Sequence, residues 1–324
     1  MRTIAIVNQK GGVGKTTTTC NLGAGLAHQG KRVLLVDLDA QAHLTFHLGI
    51  DNTETAATVY DLMTGRAAMG KVIVARSDRL HVAPSHIDLA GAEVELVSSV
   101  ARERILCDTL ASCADDYDLV LVDCPPSLGL MTLNALVAAD EIILTLQPHV
   151  LALQGMSKLL ETAQLIRERL NRRLKISGVV FCMFDGRTSL SGEVVADVES
   201  FFARAARDDP LFADVRVFDT RIRRNIKLAE APGFGQTIFE YAPSSHGAED
   251  YEHLTAELLG TSTAATTNET SEAVPEKRET DTAAPVTYSP AGPEADAARD
   301  LAASVPSEPG PPGQPAPSPE DPTA

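Results

Sequence analysis

A glycine-rich segment near the start of the chain has the composition of a phosphate-binding loop. Residues 10–17 read Lys-Gly-Gly-Val-Gly-Lys-Thr-Thr and follow an apolar run. A turn of this kind between a strand and a helix directs several backbone N–H groups to one point, where the positive end of the helix also attracts phosphate oxygens. In the general pattern G-x-x-x-x-G-K-[ST], Lys15 reaches the β- and γ-phosphates and Thr16 binds Mg²⁺.

The segment departs from that pattern in two ways. Position 9 holds glutamine where the first glycine is expected, and a second lysine, Lys10, stands at the start of the loop. The alternative, a chance cluster on a surface turn, is disfavoured because an apolar strand pattern precedes the loop and a helical pattern over 17–29 follows it. We therefore predict that ATP and Mg²⁺ are bound, and that the nucleotide contacts Gly11, Gly12, Val13, Gly14, Lys15, Thr16 and Thr17.

Strand patterns alternate with helical patterns through the first 260 residues. Apolar runs at 3–8, 31–37, 119–123, 141–147 and 176–183 predict buried strands, and residues 153–170 carry apolar side chains at helical spacing. Alternation of this kind builds βαβ units, whose strands form a mainly parallel sheet covered by helices on both faces. The fold class predicted is α/β, a P-loop NTPase with a deviant Walker-A loop.

Three aspartates stand at predicted strand ends, where parallel sheets bind their ligands. Asp123 ends an apolar strand, and we predict that it faces the loop and holds Mg²⁺ through water, together with Thr16. Asp37 and Asp39 straddle the end of another strand, and period-two alternation places them on one side. We favour Asp39 as the residue that orients the attacking water. The alternative for each aspartate is a cap on the following helix.

Composition divides the chain near Gly260. Residues 261–324 contain 12 of the 19 prolines, one aromatic residue, eleven acidic side chains and three basic ones. Such a segment cannot bury enough apolar surface to offset its ordering entropy. We therefore predict an ATPase domain over 1–260 and a disordered acidic tail over 261–324, which serves as a solvating tail or as a tether or partner-binding arm.

The whole chain has a formal net charge of −16, of which the tail contributes half. A generally basic surface is thus excluded, and any contact with nucleic acid must come from a local patch. The five cysteines form no C-x-x-C pair, and the sequence contains no secretory or membrane-spanning pattern. These features predict a cytoplasmic protein with reduced thiols.

Five stretches of the sequence, taken in order, resemble the ParA/Soj branch of the MinD-like P-loop ATPases. They are KGGVGKTTT (10–18), RVLLVDLDAQ (32–41), LVLVDCPPSLGLMTLNAL (119–136), LTLQPHVLALQGM (144–156) and RRNIKLAEAPGFGQTI (223–238). The resemblance covers residues 1–260 and implies an ATP-sandwich homodimer in which Lys10 reaches the phosphates of the partner's ATP. It implies slow, partner-stimulated hydrolysis, with Lys10, Lys15 and Asp39 as the catalytic residues.

The same resemblance implies that the ATP-bound dimer binds DNA without sequence preference. Arg187, Arg224 and Lys227 match the basic positions that the family uses for DNA, and residues 221–227 hold four cations in all. It further implies a nucleoid-associated location, a ParB-like centromere-binding partner, and a role in chromosome or plasmid segregation or in cargo positioning.

The chain departs from the family's usual residues at three places. Ala40 stands where proline is usual, the residues around His43 differ from the usual Gly-Asn, and Arg223 replaces a frequent proline. The first two predict a differently shaped loop after Asp39, which bears on the rate of hydrolysis. The third adds a positive charge beside the predicted DNA contacts.

Two other function classes belong to the same superfamily. A MinD-like membrane-associated ATPase for division-site placement needs a C-terminal amphipathic helix with a basic face, whereas this C-terminal region is acidic and rich in proline, so no membrane partner is predicted. A redox relative would hold an iron-sulfur cluster between two subunits, but Cys107, Cys113 and Cys124 lie outside that family's motif contexts.

Overall fold

The apolar runs form the centre of a nine-stranded sheet in a computed structural model that describes residues 1–149, 152 and 154–261. The strands are β1 (Arg2–Val7), β2 (Val33–Asp37), β3 (Val74–Ala75), β4 (Leu80–Ala83), β5 (Leu119–Asp123), β6 (Glu141–Leu146), β7 (Lys175–Phe184), β8 (Arg216–Val217) and β9 (Ile222–Arg223). Their order across the sheet is β3-β4-β2-β5-β1-β6-β7-β8, and β9 also pairs with β7. The β3–β4 pair is antiparallel and the other pairs are parallel.

Helices cover both faces of the sheet. They are α1 (Lys15–His28), α2 (His43–His47), α3 (Val59–Met63), α4 (Met69–Val72), α5 (Leu89–Glu95), α6 (Ile105–Ala111), α7 (Leu130–Ala138), α8 (Ser157–Arg169), α9 (Ser189–Asp208), α10 (Ile226–Glu230), α11 (Ile238–Tyr241) and α12 (His246–Leu259). Alternate strand residues point to opposite faces. In β1, Ala5 and Val7 pack with α3–α9, whereas Ile4 and Ile6 pack with α1, α2 and α10–α12.

The predicted fold class is confirmed, and all five predicted strands are present with bounds shifted by at most two residues. The sequence patterns missed β3, β4, β8 and β9, because runs of two to four residues are too short for periodicity to be read. The predicted helix over 153–170 begins only at Ser157. Apart from Thr261, the predicted tail lies outside the described residues.

Helix α1, which begins at the phosphate-binding loop, packs closely against α12. A Cβ atom at Gly25 would lie 2.3 Å from the Thr255 hydroxyl oxygen of α12. Both residues are buried, so the contact cannot be relieved by turning a side chain into solvent. Glycine at position 25 therefore sets the distance between the two helices.

We expect Gly25→Ala to destabilise the protein by about 1–3 kcal/mol, since overpacking outweighs the gain of about 1 kcal/mol in helix propensity. Gly192→Ala in α9 is the matched control, because no atom lies within 4 Å of its added Cβ. That variant should be neutral or more stable than the parent. Urea unfolding at pH 7.5 measures both, and equal effects of the two substitutions would contradict the packing argument.

Candidate functional site

The loop between β1 and α1 is open on its concave side. Gly12 and Gly14 have φ angles of +71° and +89°, a left-handed conformation that side chains other than glycine rarely adopt. Gly14 is the N-cap of α1, and no side chain caps the helix. No atom lies within 4 Å of where a Cβ would stand at Gly11 or Gly12. The loop can therefore surround a phosphate group with backbone N–H donors and a helix N-terminus.

Lys15 lies across this loop. Its side chain is nearly buried, and its Nζ donates a hydrogen bond to the Lys10 carbonyl oxygen at 3.0 Å. Burial lowers the pKa of Lys15, and the nearby Asp123 carboxylate opposes that effect. An ammonium group held in such a dry position interacts strongly with an anion that enters the loop.

Thr16 and Asp123 meet although they are 107 residues apart. The Thr16 hydroxyl donates to Asp123 Oδ2 at 2.8 Å, and the Thr19 hydroxyl donates to Oδ1 at 3.2 Å. The contact arises because β5 lies beside β1, so the ends of both strands reach the same edge of the sheet. Val13, in contrast, is buried, so only its backbone can contribute to the loop.

The oxygens of Thr16 and Asp123 suit a hard divalent cation. Asp123 is fully buried, and burial together with the Asp37 carboxylate raises its pKa. A carboxylate in this situation gains most from a nearby cation. Mg²⁺ prefers oxygen ligands, retains water and binds through few carboxylates plus phosphates, so these two residues fit the predicted ion.

The two other predicted aspartates do not share one environment. Strand β2 ends at Asp37, so the alternation that was expected to align Asp37 with Asp39 does not extend to the second residue. Asp37 is fully buried and accepts hydrogen bonds from the Thr45 backbone and hydroxyl at 3.0 and 2.7 Å. Asp39 is half-buried and accepts from the Gln41 N–H at 2.9 Å. Of the two, Asp39 lines the cleft above the loop.

The loop after Asp39 contains a strained residue. Ala42 has a φ angle of +52°, a left-handed conformation that costs an alanine about 1–2 kcal/mol. It is the N-cap of α2, whose Thr45 binds Asp37. The hydrogen bonds to the buried Asp37 therefore compensate for the strain that places α2 beside the cleft.

Lys10 does not line the cleft that holds the other loop residues. Its side chain is half-exposed, and Nζ lies 3.3 Å from Nε2 of His149, in the segment that follows β6. A Cβ at Gly155 would approach Lys10 Cε to 2.8 Å. The Lys10 side chain thus lies beside the segment that follows β6.

The cleft above the loop has a volume of about 930 Å³, and its lining is largely apolar. The lining includes the apolar residues Met183, Ile222, Ile226 and Pro232, together with the buried His47. The sequence interpretation assigned none of these residues, because they come from three distant segments with no common spacing. The motif at 223–238 was the available signal, since its residues form one wall of the cleft.

Two of the four cations at 221–227 are engaged within the protein. Arg221 is largely buried over the Phe181 ring, and Arg223 forms ion pairs of 2.6 Å with both Glu249 and Asp250. The positive charge that Arg223 adds beside the predicted DNA contacts is thus paired with two carboxylates.

The three predicted DNA contacts are exposed at one end of β7. The Arg224 N–H donates to the Phe184 carbonyl, and the Arg187 side chain, 89% exposed, pairs with Asp185. Lys227 follows in α10 and pairs with Glu230 at 2.9 Å. Ion pairs this exposed contribute little energy, so phosphate groups can replace the carboxylates.

The remaining predictions concern thiols and membranes. All five cysteines are free thiols, and four of them are buried, which agrees with the prediction of reduced cysteines. In the part of the chain that the structure describes, every helix is too short or too polar to cross a membrane.

Comparison with known proteins gives matches over the same region. A family model described as an AAA domain matches residues 1–176. The sporulation initiation inhibitor protein Soj of Bacillus subtilis is 46% identical, over 79% of this chain and 97% of its own. The chromosome-partitioning ATPase Soj of Treponema pallidum is 44% identical, over 80% of this chain and 97% of its own.

A solved structure gives the same result for the fold. Cobyrinic acid a,c-diamide synthase from Mycobacterium smegmatis, with bound ADP and magnesium, superimposes with a TM-score of 0.67 and 36% identity. The match covers 80% of this chain and 94% of that one. The resemblance inferred from the five motifs is thus confirmed.

We expect His47 to make the protein sensitive to acid. Burial lowers the pKa of His47 to about 4, from 6.5 in an exposed chain, and Nε2 has no hydrogen-bond partner among the described atoms. Between pH 6.5 and 4 the unfolded state binds a proton that the folded state does not, so stability falls as the pH falls through this range. At pH 5 the loss relative to pH 7.5 is on the order of 2 kcal/mol.

His47→Leu should remove this part of the pH dependence, as measured by urea unfolding of the nucleotide-free protein at pH 7.5 and 5.0. His43→Leu is the matched control, because His43 belongs to the same helix and is exposed. Equal acid sensitivity of the parent and the His47 variant would show that His47 is not the group responsible.

Proposed function

Because the chain belongs to the Soj/ParA family of chromosome-partitioning ATPases, we propose that it hydrolyses ATP with Mg²⁺ as a nucleotide-controlled switch. ATP binding joins two copies of the chain, and the dimer binds DNA without sequence preference. A ParB-like partner accelerates hydrolysis, and the switch segregates chromosomal or plasmid DNA or positions another cargo. The observation that carries the proposal is the open phosphate cradle beside the Thr16–Asp123 contact.

Each residue of the cradle has a distinct task in this proposal. The backbone N–H groups of residues 11–17 bind the phosphates, and Lys15 neutralises the charge near the transferred group. Thr16 and Asp123 hold Mg²⁺, Asp123 through water, and the ion supplies charge neutralisation and orients the phosphate oxygens. Asp39, which also lines the cleft, orients the attacking water.

Lys10 supplies the link between hydrolysis and assembly. The Lys10 ammonium group lies beside His149, whereas most other loop residues line the cleft, and in this proposal it acts on the nucleotide of a second copy when two copies meet. A cation placed in trans against the charge that develops on the phosphoryl group is worth several powers of ten in rate. ATP binding then favours dimerisation, and dimerisation in turn favours ATP binding.

Lys10→Ala should abolish ATP-dependent dimerisation and lower turnover at least about 100-fold, because the trans cation is lost. Asp39→Ala is the contrasting variant: it should keep ATP binding and dimerisation but stall turnover, because only the water-orienting group is removed. Gel filtration with ADP, ATP and a non-hydrolysable analogue measures assembly, and phosphate release measures turnover. If Lys10→Ala dimerises and turns over like the parent, the trans role is wrong.

DNA binding should show the salt dependence of phosphate contacts. Arg224→Ala should weaken retention of the ATP-bound protein on DNA and reduce the slope of log affinity against log salt by about 1, since one phosphate contact is lost. Arg172→Ala is the control, because this exposed arginine lies just before β7 begins, at the other end of that strand. Equal salt slopes for the parent, Arg224→Ala and Arg172→Ala would show that Arg224 does not contact DNA.

Retention of the ATP-bound protein on anionic vesicles instead of DNA would favour the membrane-associated alternative.

A further inference from the structure

The guanidinium group of Arg223 is held by a carboxylate that is almost completely buried. Arg223 Nη2 and Nε donate to Asp250 Oδ1 at 2.6 and 2.9 Å, and the side chain of Asp250 is 5% exposed. Glu249 accepts a second bond from Nη2 at 2.6 Å. The Nε and Nη2 groups of the guanidinium are thus engaged within the protein, and charge-assisted hydrogen bonds of this kind are strong.

Asp250 also fixes the main chain at the same residue. The Arg223 N–H donates to Asp250 Oδ2 at 2.8 Å, so one carboxylate binds both the backbone and the side chain of Arg223. Removing one member of a buried pair leaves the other without compensation, which is strongly destabilising locally. The segment around Arg223 therefore depends on Asp250 for its conformation.

Apart from the buried side chain of Ile222, little else holds that segment in place. Strand β9 has two residues, and its register against β7 shifts between Cys182 and Phe184, next to Met183 with its φ angle of +53°. Arg224 is the next residue, and its N–H donates to the Phe184 carbonyl at 3.2 Å. A two-residue strand gains little stability from its backbone hydrogen bonds to β7. The bonds from Asp250 in α12 therefore determine where Arg224 lies.

The same turn of α12 reaches the phosphate-binding helix. Tyr251, directly after Asp250, places its hydroxyl 3.1 Å from the Thr18 hydroxyl of α1, and both residues are fully buried. Arg223 and Arg224 also line the nucleotide cleft. Two consecutive residues of α12 thus connect the segment that carries a predicted DNA contact with the helix that begins at the phosphate cradle.

We propose that Asp250 and Arg223 are positioning residues, which hold Arg224 toward DNA while Arg223 itself makes no DNA contact. This inference rests on the proposed DNA-binding function. The opposite model makes Arg223 a DNA contact whose charge is attenuated by Asp250. The two models predict opposite changes in DNA affinity when the Asp250 carboxylate is removed. If Arg223 contacts DNA, its freed charge strengthens binding. If Asp250 positions the segment, its loss releases Arg224 and weakens binding.

The test uses the full-length chain with a non-hydrolysable ATP analogue, and measures retention on a duplex of arbitrary sequence over a series of salt concentrations. Asp250→Asn should weaken DNA binding roughly three- to tenfold, about as much as Arg224→Ala, and should lower the salt slope by about 1. The double variant Asp250→Asn with Arg224→Ala should bind no more weakly than Arg224→Ala alone, because both changes remove the same contact.

Arg223→Lys provides a second variant that keeps the charge at the position but loses the bidentate geometry. Positioning predicts that it binds DNA as poorly as Asp250→Asn, whereas a direct contact predicts binding close to that of the parent. Glu249→Gln is the matched control, since it removes the exposed carboxylate and leaves the Asp250 bonds intact. Its DNA binding should stay within about twofold of the parent.

Affinity for a fluorescent ATP analogue and the urea midpoint are measured for every variant, so that a folding defect is recognised. Stronger DNA binding by Asp250→Asn, or unchanged binding by Arg223→Lys, would overturn the positioning role while leaving the proposed DNA function in place. Absence of ATP-dependent DNA retention by the parent chain would overturn the proposed function, and the inference with it.

Discussion

The site depends on a buried carboxylate at the carboxyl edge of the parallel sheet. Asp123 is brought there because β5 is hydrogen-bonded to β1, and the phosphate-binding loop leaves the sheet at the end of β1. Burial makes the charged form of this group costly, and two threonine hydroxyls are the hydrogen-bond donors that reach it. In the proposed function, Mg²⁺ bound beside Asp123 offsets this cost, so this edge of the sheet favours a cation together with phosphates.

Other buried carboxylates in the described part of the chain hold strands and loops of the protein in place, whereas Asp123 lies at the phosphate-binding loop. Glu141 forms a pair with Arg2 at 2.7 Å, and Asp250 holds Arg223. Asp37 receives the backbone and hydroxyl donors of Thr45. In these three places the charge serves to fix a strand or a loop. Asp123 instead accepts hydrogen bonds from Thr16 and Thr19, in the first turns of the helix that begins at the phosphate-binding loop.

Local signals in the sequence were sufficient for the cradle and for the five adjacent strands that carry it, β2, β5, β1, β6 and β7. The spacing of Gly12, Gly14 and Lys15, together with the apolar run that ends at Asp123, predicts contacts that depend only on strand order. The distinction between Arg223 and Arg224 could not be predicted in this way. Adjacent basic residues look alike in a sequence, and the carboxylates that neutralise Arg223 stand 26 and 27 residues further along the chain.

For a related reason, the sequence did not predict the apolar lining of the cleft or the separation of Asp39 from Asp37. These residues come from α2, from β7 and from the segment 222–232, and β9 within that segment is too short to show a period. Asp39 and Asp37 lie in different environments because β2 ends at Asp37. The Asp37 carboxylate accepts hydrogen bonds from Thr45 of the five-residue helix α2. Tertiary hydrogen bonds decide both features, and neighbouring sequence does not encode them.

Each of the two walls of the cleft is held in place by the hydrogen bonds of a buried aspartate. On one side Asp37 binds Thr45 and so anchors α2, with its strained Ala42, beside the loop. On the other side Asp250 binds Arg223 and anchors the short strand β9. Both carboxylates are buried, so their hydrogen bonds are protected from competition with water. The walls therefore keep their positions around α1. In the proposed function, a change of nucleotide acts through Lys10, which does not line this cleft.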